Sequence, residues 1–363
     1  MKNFIPQIEP YIDDTELKYL KKVVESTYVT EHTLTKDFEQ RIKDLTGAKH
    51  AIAVCNGTAA LFCCLKALNI GPGDEVIVPN LTFIATANAV LMAGAIPVLC
   101  DISRKDLSFD LKKLEACVTL KTKAIMPVHL YGFSANMDEL LEMANKHDLK
   151  VIEDAAQGVG VRYKGVHTGT LGDIGILSFY GNKTITCGEG GIILTDSDEL
   201  AKRCYQLKNH GRSSKGVFIH ESIGYNFCFT EMQAAVGLAQ LDKLKGIIKS
   251  KQNIKDRYSS SLDSYMTPLV PDEKTTTPVY WFTSFLTPHK RELQDYLKGE
   301  GIQTRDFFYP LDMQPCYDTN VVRGSSFEVS QELYSLGLSL PSSFGLSEQD
   351  QTRIISKIKE FFN

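Results

Sequence analysis

The chain is 363 residues long, 43% hydrophobic and 23% charged, with a formal net charge of -4. This is the balance of a globular protein large enough for one large or two ordinary domains, and its dispersed Lys and Arg residues exclude the concentrated basic field that nucleic-acid binding uses. Nine cysteines, with Cys63 and Cys64 adjacent and no paired CxxC units, give neither a disulfide framework nor a zinc site. They read mostly as small buried apolar residues.

The N-terminal MKNFIPQIEPYIDDTELKYL carries acidic residues and prolines where a secretory signal needs an apolar run. No later stretch approaches transmembrane length, so no membrane association and a cytoplasmic location are expected. From Ala51, short apolar runs alternate with helical patterns: AIAV, a helix from residue 59, EVIVP at Glu75, a helix over 85–92, and IPVLCDI at Ile96. The alternation continues with KAIMPVH at Lys123, a helix over 137–146 and LKVIED at Leu149, which predicts an α/β fold with a mostly parallel sheet covered by helices. A long helix follows over 230–255, with Met232, Ala235, Val236, Leu238, Leu241, Leu244 and Ile247 as its apolar stripe. Beyond Asp263, the strand-like VYWFTSFLTP and helices over 291–298 and 348–362 read as a smaller α+β domain, dividing the chain into 1–245 and 246–363.

Ligands of such sheets bind just past the strand C-termini, and four stretches fall there or at a helix start. In CNGTAAL, Gly57 and Thr58 offer backbone N–H groups and a hydroxyl to a phosphate, or else form only a tight turn and a cap. In VIEDAAQGVG, Asp154 ends a buried strand with Gln157 three residues on; a carboxylate there can hold a protonated ring nitrogen, or simply cap the next helix. In SFYGNKTITCGEGG, Ser178 ends a strand and Lys183 sits in a glycine-closed loop, where partial desolvation is what a Schiff-base lysine requires. HESIGYNFCFTEMQ sets His220 and Asn226 just ahead of the long helix, and Phe83 in NLTFIATANA is either a core aromatic or a platform for a flat ring.

In this order and spacing, NGTAAL, GDEVIVPNLTFIATANAV, VIEDAAQGVG, GDIGILSFYGNKTITCGEGG and IGYNF resemble the DegT family of sugar-nucleotide aminotransferases, and within it the perosamine synthase branch. The likeness runs from FIPQIEP through TRDFFYPLDMQPCY to LSLPSSFGLSEQ. It implies a fold type I pyridoxal 5'-phosphate enzyme of the aspartate aminotransferase kind, with a seven-stranded sheet in its large domain. By the same resemblance Lys183 binds the cofactor covalently and shuttles protons, Asp154 pairs with the pyridinium nitrogen, Gln157 lies near the phenolic oxygen and Phe83 stacks on the ring. Gly57, Thr58 and Ser178 then contact the phosphate, as does Asn226 from a neighbouring subunit, so the active site belongs to a homodimer or tetramer interface. His220, Tyr309 and Asp312 are expected near the substrate.

The implied reaction moves the amino group of L-glutamate, by way of pyridoxamine 5'-phosphate, to the keto carbon of a nucleotide-linked 4-keto-6-deoxy sugar, for a surface polysaccharide such as O-antigen or capsule. Two other readings keep the cofactor: a sugar dehydratase, whose relatives carry a histidine in place of the lysine, and a non-catalytic regulatory protein. The chain departs from the perosamine synthase pattern at IPQIEP, at a missing glycine after STYVT, at Asp312 for a histidine, at Cys228 for an arginine and at Cys187 for a threonine. The first four of these are expected around the sugar and nucleotide rather than the cofactor.

Overall fold

The structure, a computed structural model, describes residues 4–213, 216 and 218–363. The chain opens with α1 (Asp14–Ser26) and α2 (Thr33–Thr46), then alternates β1 (His50–Val54), α3 (Gly57–Ala67), β2 (Glu75–Pro79), α4 (Ala85–Met92), β3 (Ile96–Cys100), α5 (Leu111–Ala116), β4 (Thr122–Ile125), α6 (Met137–Lys146) and β5 (Lys150–Asp154). A small hairpin, β6 (Arg162–Tyr163) and β7 (Val166–His167), precedes β8 (Ile174–Ser178), β9 (Gly191–Thr195), α7 (Asp198–Lys208) and the long α8 (Glu231–Leu262). The remainder comprises β10 (Thr267–Pro268), β11 (Thr276–Thr277), β12 (Thr283–Leu286), α9 (Lys290–Gly299), β13 (Arg305–Asp306), β14 (Val322–Arg323), α10 (Glu328–Leu336), β15 (Gly337–Leu340) and α11 (Glu348–Phe362).

The main sheet runs β1-β9-β8-β5-β4-β2-β3-β14, and only β9 is antiparallel to its neighbours. Six of these strands are ones the sequence locates, and β9 makes up the seven that the resemblance implies. The eighth, β14, arrives from far along the chain and pairs Val322 with Val98 in parallel; at two residues it is too short to leave a period in the sequence. The strands β8 and β9 are buried on both faces, which is why they read as continuous apolar runs. On β1 the period of two still sorts the layers: Ile52 and Val54 join Leu61 and Leu65 of α3 on one face, while Ala51 and Ala53 join Phe38 and Leu238 on the other.

The long helix extends further than expected, and its stripe serves two cores. Leu238, Leu241, Leu244 and Ile247 pack with Phe38 against the sheet, whereas Ile254, Tyr258 and Leu262 pack with Leu293, Leu338 and Ile354 beside the antiparallel sheet β10-β12-β15-β13. Met232 does not join the stripe and is 40% exposed. The buried position of that first turn is Glu231, whose carboxylate accepts the N–H groups of Leu34 (2.7 Å) and Thr35 (2.9 Å) and so caps α2. Position 245 lies within α8, and among the described residues no helix is long and apolar enough to cross a membrane.

Candidate active site

The parallel order brings the C-terminal ends of β5 and β8 beside the N-terminus of α3, around a cavity of about 520 Å³. Asn56 caps α3 by accepting the N–H of Ala59 at 2.8 Å, which leaves the first amides of the helix, at Gly57 and Thr58, facing the cavity they line. A Cβ on Gly57 would stand 3.1 Å from Cβ and 3.2 Å from Oγ of Ser178, so glycine is what lets this helix start approach the end of β8. Thr58, Phe83, Asp154, Gln157, Ser178 and Lys183 line the same cavity. Seven of the eight residues expected at the cofactor are therefore brought together, and Asn226 is not among them.

Asp154 is buried, and its carboxylate accepts the Thr86 hydroxyl at 2.8 Å and the N–H of Ala156 at 3.2 Å. Burial raises its pKa above the usual carboxylate value, opposed by those two bonds and by the charge of Lys183. Behind it, His129 Nδ1 accepts the N–H of Ala135 at 3.2 Å, which leaves Nε2 to donate to Glu153 at 2.9 Å. Glu153 also accepts N–H bonds from Gly169 (2.8 Å) and Gly172 (2.7 Å), and this support holds its carboxyl below the usual range despite burial. Gln157 commits its carbonyl oxygen to the N–H of Tyr131 at 2.6 Å.

Lys183 lies in a loop pinned by Phe179 N–H to Gly190 O (2.9 Å) and Cys187 N–H to Phe179 O (2.9 Å), with its own N–H on Tyr180 O (2.9 Å). Its amine has no ion-pair partner among the described residues and sits 4.3 Å from the centre of the Trp281 ring. Burial lowers its pKa to about 8; the Asp154 carboxylate works against that and the Arg305 charge with it. Cys187 points into the core against Phe38 and Gly237 rather than into the cavity.

The other expected residues lie outside this cavity within one chain. Asn226 bridges Asn209 by its backbone, and exposed His220 bonds His210 O through Nδ1 at 2.6 Å. Tyr309 packs edge-on against Tyr334 with ring centres 5.2 Å apart. Asp312 accepts from Asn80 at 2.6 Å and Gln331 at 2.8 Å, bracing the segment after β2 that carries Phe83. Sequence reasoning missed Thr86, Trp281, Arg305 and Phe308, of which the last three come from the C-terminal part and line the cavity. Trp281 carried one signal, being the only tryptophan in the chain.

A family model described as the DegT/DnrJ/EryC1/StrS aminotransferase family matches residues 10–359. The chain belongs to this family. Among its relatives, the GDP-perosamine synthase of Caulobacter vibrioides is 38% identical over 97% of this chain and 96% of its own, and that of Vibrio cholerae is 36% identical over 99% of each. The DegT-family fold is also that of S. venezuelae DesV, solved in complex with a ketimine intermediate: TM-score 0.92, 32% identity, 99% of this chain and 98% of that one. The protein is thus a sugar aminotransferase of the DegT family, whose members are pyridoxal phosphate-dependent enzymes of fold type I. The cavity fits that cofactor: a glycine-opened helix start with two hydroxyls for a phosphate, a buried carboxylate for a ring nitrogen, and an amine close to neutrality.

Proposed function

We propose that the protein transfers the amino group of L-glutamate to the keto carbon of a nucleotide-linked 4-keto-6-deoxy sugar, releasing 2-oxoglutarate, in the cytoplasmic synthesis of an amino sugar for a surface polysaccharide. The observation that carries this reading is the unpaired amine of Lys183 facing the buried Asp154 across one cavity. The name shared by the Caulobacter and Vibrio relatives supports a GDP-linked sugar. Lys183 in place of a histidine speaks against the dehydratase.

Pyridoxal phosphate, when bound, supplies an aldehyde for the amino group and a ring that accepts electrons. Asp154, fixed by Thr86 and the N–H of Ala156, would keep the ring nitrogen protonated. Gly57, Thr58 and Ser178 would hold the phosphate, Phe83, 51% exposed, would offer a face to the ring, and Gln157 would serve the phenolic oxygen. Lys183 carries a proton on Nζ to and from the reacting carbon in each half of the exchange. Arg305, whose guanidinium stands over the Phe282 ring at 5.3 Å, holds an anionic group of the substrate.

Asn226 completes the phosphate site from a second copy of the chain, with His220 and Tyr309 toward the sugar nucleotide and Asp312 acting through Asn80. The chain divides into units 1–245 and 246–363 that share α8. The test is to incubate the enzyme with glutamate and GDP-, UDP- and dTDP-linked 4-keto-6-deoxy sugars and weigh the products. One aminated sugar nucleotide is expected, and none with Lys183→Ala; no amination across the panel defeats the proposal.

A further inference from the structure

Trp281 is 2% exposed and tied at three points. Its N–H donates to Tyr131 O at 3.2 Å, its carbonyl accepts Lys251 Nζ at 2.9 Å, and its indole Nε1–H donates to Asn182 O at 2.7 Å. Asn182 is the residue before Lys183, so one side chain both fixes the backbone ahead of the lysine and lies beneath its amine, 4.3 Å from the ring centre. Lys251, on α8, is 4% exposed, and its other bond is to Ser342 O at 3.3 Å. A methionine would fill similar space without desolvating a charge; what the amine adds is a donor for the Trp281 carbonyl.

We propose that Trp281 is a positioning residue for Lys183, its indole face holding the protonated amine between proton transfers, and that Lys251 keeps Trp281 in place. The role rests on the aminotransferase reading above. A free lysine on a four-carbon stem samples many rotamers, and an aromatic face favours the one that sets the ammonium over the ring. Charged side chains that share a cavity with the pair are Asp154 from β5, Glu189 and Arg305 on one side and Glu9 and Lys251 on the other; the phenols of Tyr131 and Tyr280 are pushed by burial far above the working range.

Because no other tryptophan is present, its emission reports on this pair directly. In full-length protein freed of cofactor with hydroxylamine, emission should change with pH in a step around 8, where burial places both the Lys183 and the Lys251 amine, and Lys183→Met should remove most of the step, leaving only what Lys251 contributes through the Trp281 carbonyl. A step that survives Lys183→Met unchanged overturns the proposal. Covalent capture of pyridoxal phosphate by Lys183, trapped with borohydride and located by peptide mass, should slow about tenfold in Trp281→Leu and largely recover in Trp281→Phe, which keeps a ring face. Lys251→Met should slow capture in the same direction, and wild-type rates in both Trp281→Leu and Lys251→Met also overturn it. If the wild type does not trap the cofactor on Lys183, the functional reading falls while the emission step still decides the pairing; that step needs no Trp281 variant, so it decides even where Trp281→Leu does not fold.

Discussion

Asp154 and Lys183 share one cavity but are perturbed for different tasks, and each invites a measurement. Thr86 supplies the one side-chain hydrogen bond that supports the Asp154 carboxylate among the described residues. Removing a neutral donor to a charged acceptor in a buried site should lower turnover by about tenfold or more in Thr86→Val, with Thr86→Ser close to wild type. Equal rates in Thr86→Val and wild type would remove Thr86 from the machinery. For Lys183 the sign follows from its pKa of about 8: only the neutral amine attacks an aldehyde, so its capture of pyridoxal phosphate should rise with pH through about 8 and level off above it. An ordinary lysine would still be gaining rate near 10.5.

At the scale of elements, the contact between α2 and β1 holds a titrating group. Glu39 Oε1 accepts the N–H of Ala53 at 2.8 Å and lies 3.8 Å from Lys208 Nζ, and burial pushes its carboxyl from 4.5 up to about 7. Because the folded chain holds this proton more tightly than the unfolded one, stability falls as pH rises from 4.5 to about 7, and the loss is complete above that. Glu39→Gln keeps the acceptor for Ala53 and should stabilise the protein by up to about 3 kcal/mol at pH 8 and by little at pH 5, read from urea midpoints. An equal gain at both values would place the effect elsewhere.

Elements also explain what could be read from sequence. Gly57, Asp154, Ser178 and Lys183 were legible because strand ends and a helix start follow from the alternation of periods, and a parallel sheet gathers those ends on one side. Trp281, Arg305 and Phe308 were not, since they reach the cavity from short irregular segments placed by tertiary packing. Met232 failed for a related reason: the period identifies a face, but a buried carboxylate at Glu231 occupied it. Asn226, His220 and Tyr309 lie outside the cavity of one chain, where neither period nor motif spacing measures distance.

At the scale of the molecule, exposed apolar side chains flank Asn226 in the chain. Ile219 and Ile223 precede it and Met232 follows it, and Val29 is exposed where its carbonyl accepts the Glu231 N–H at 3.1 Å. A two-fold dimer burying this face would let each copy lend Asn226 to the other's phosphate site. Mixing inactive Lys183→Ala with Asn226→Ala after unfolding and refolding together should then restore about a quarter of wild-type activity, since half the dimers carry one intact site of two. No restoration would mean that each chain builds its site alone.

The continuous α8 has a consequence for how this enzyme can be altered. The cofactor cradle lies before it in the chain, while Trp281, Arg305 and Phe308 lie after it. A crossover between two related genes within this helix would exchange one wall of the cavity as a block and leave the other untouched. A single splice therefore exchanges the Trp281, Arg305 and Phe308 wall while keeping the cradle, provided that the graft retains the pairing of Lys251 with Trp281 across the junction.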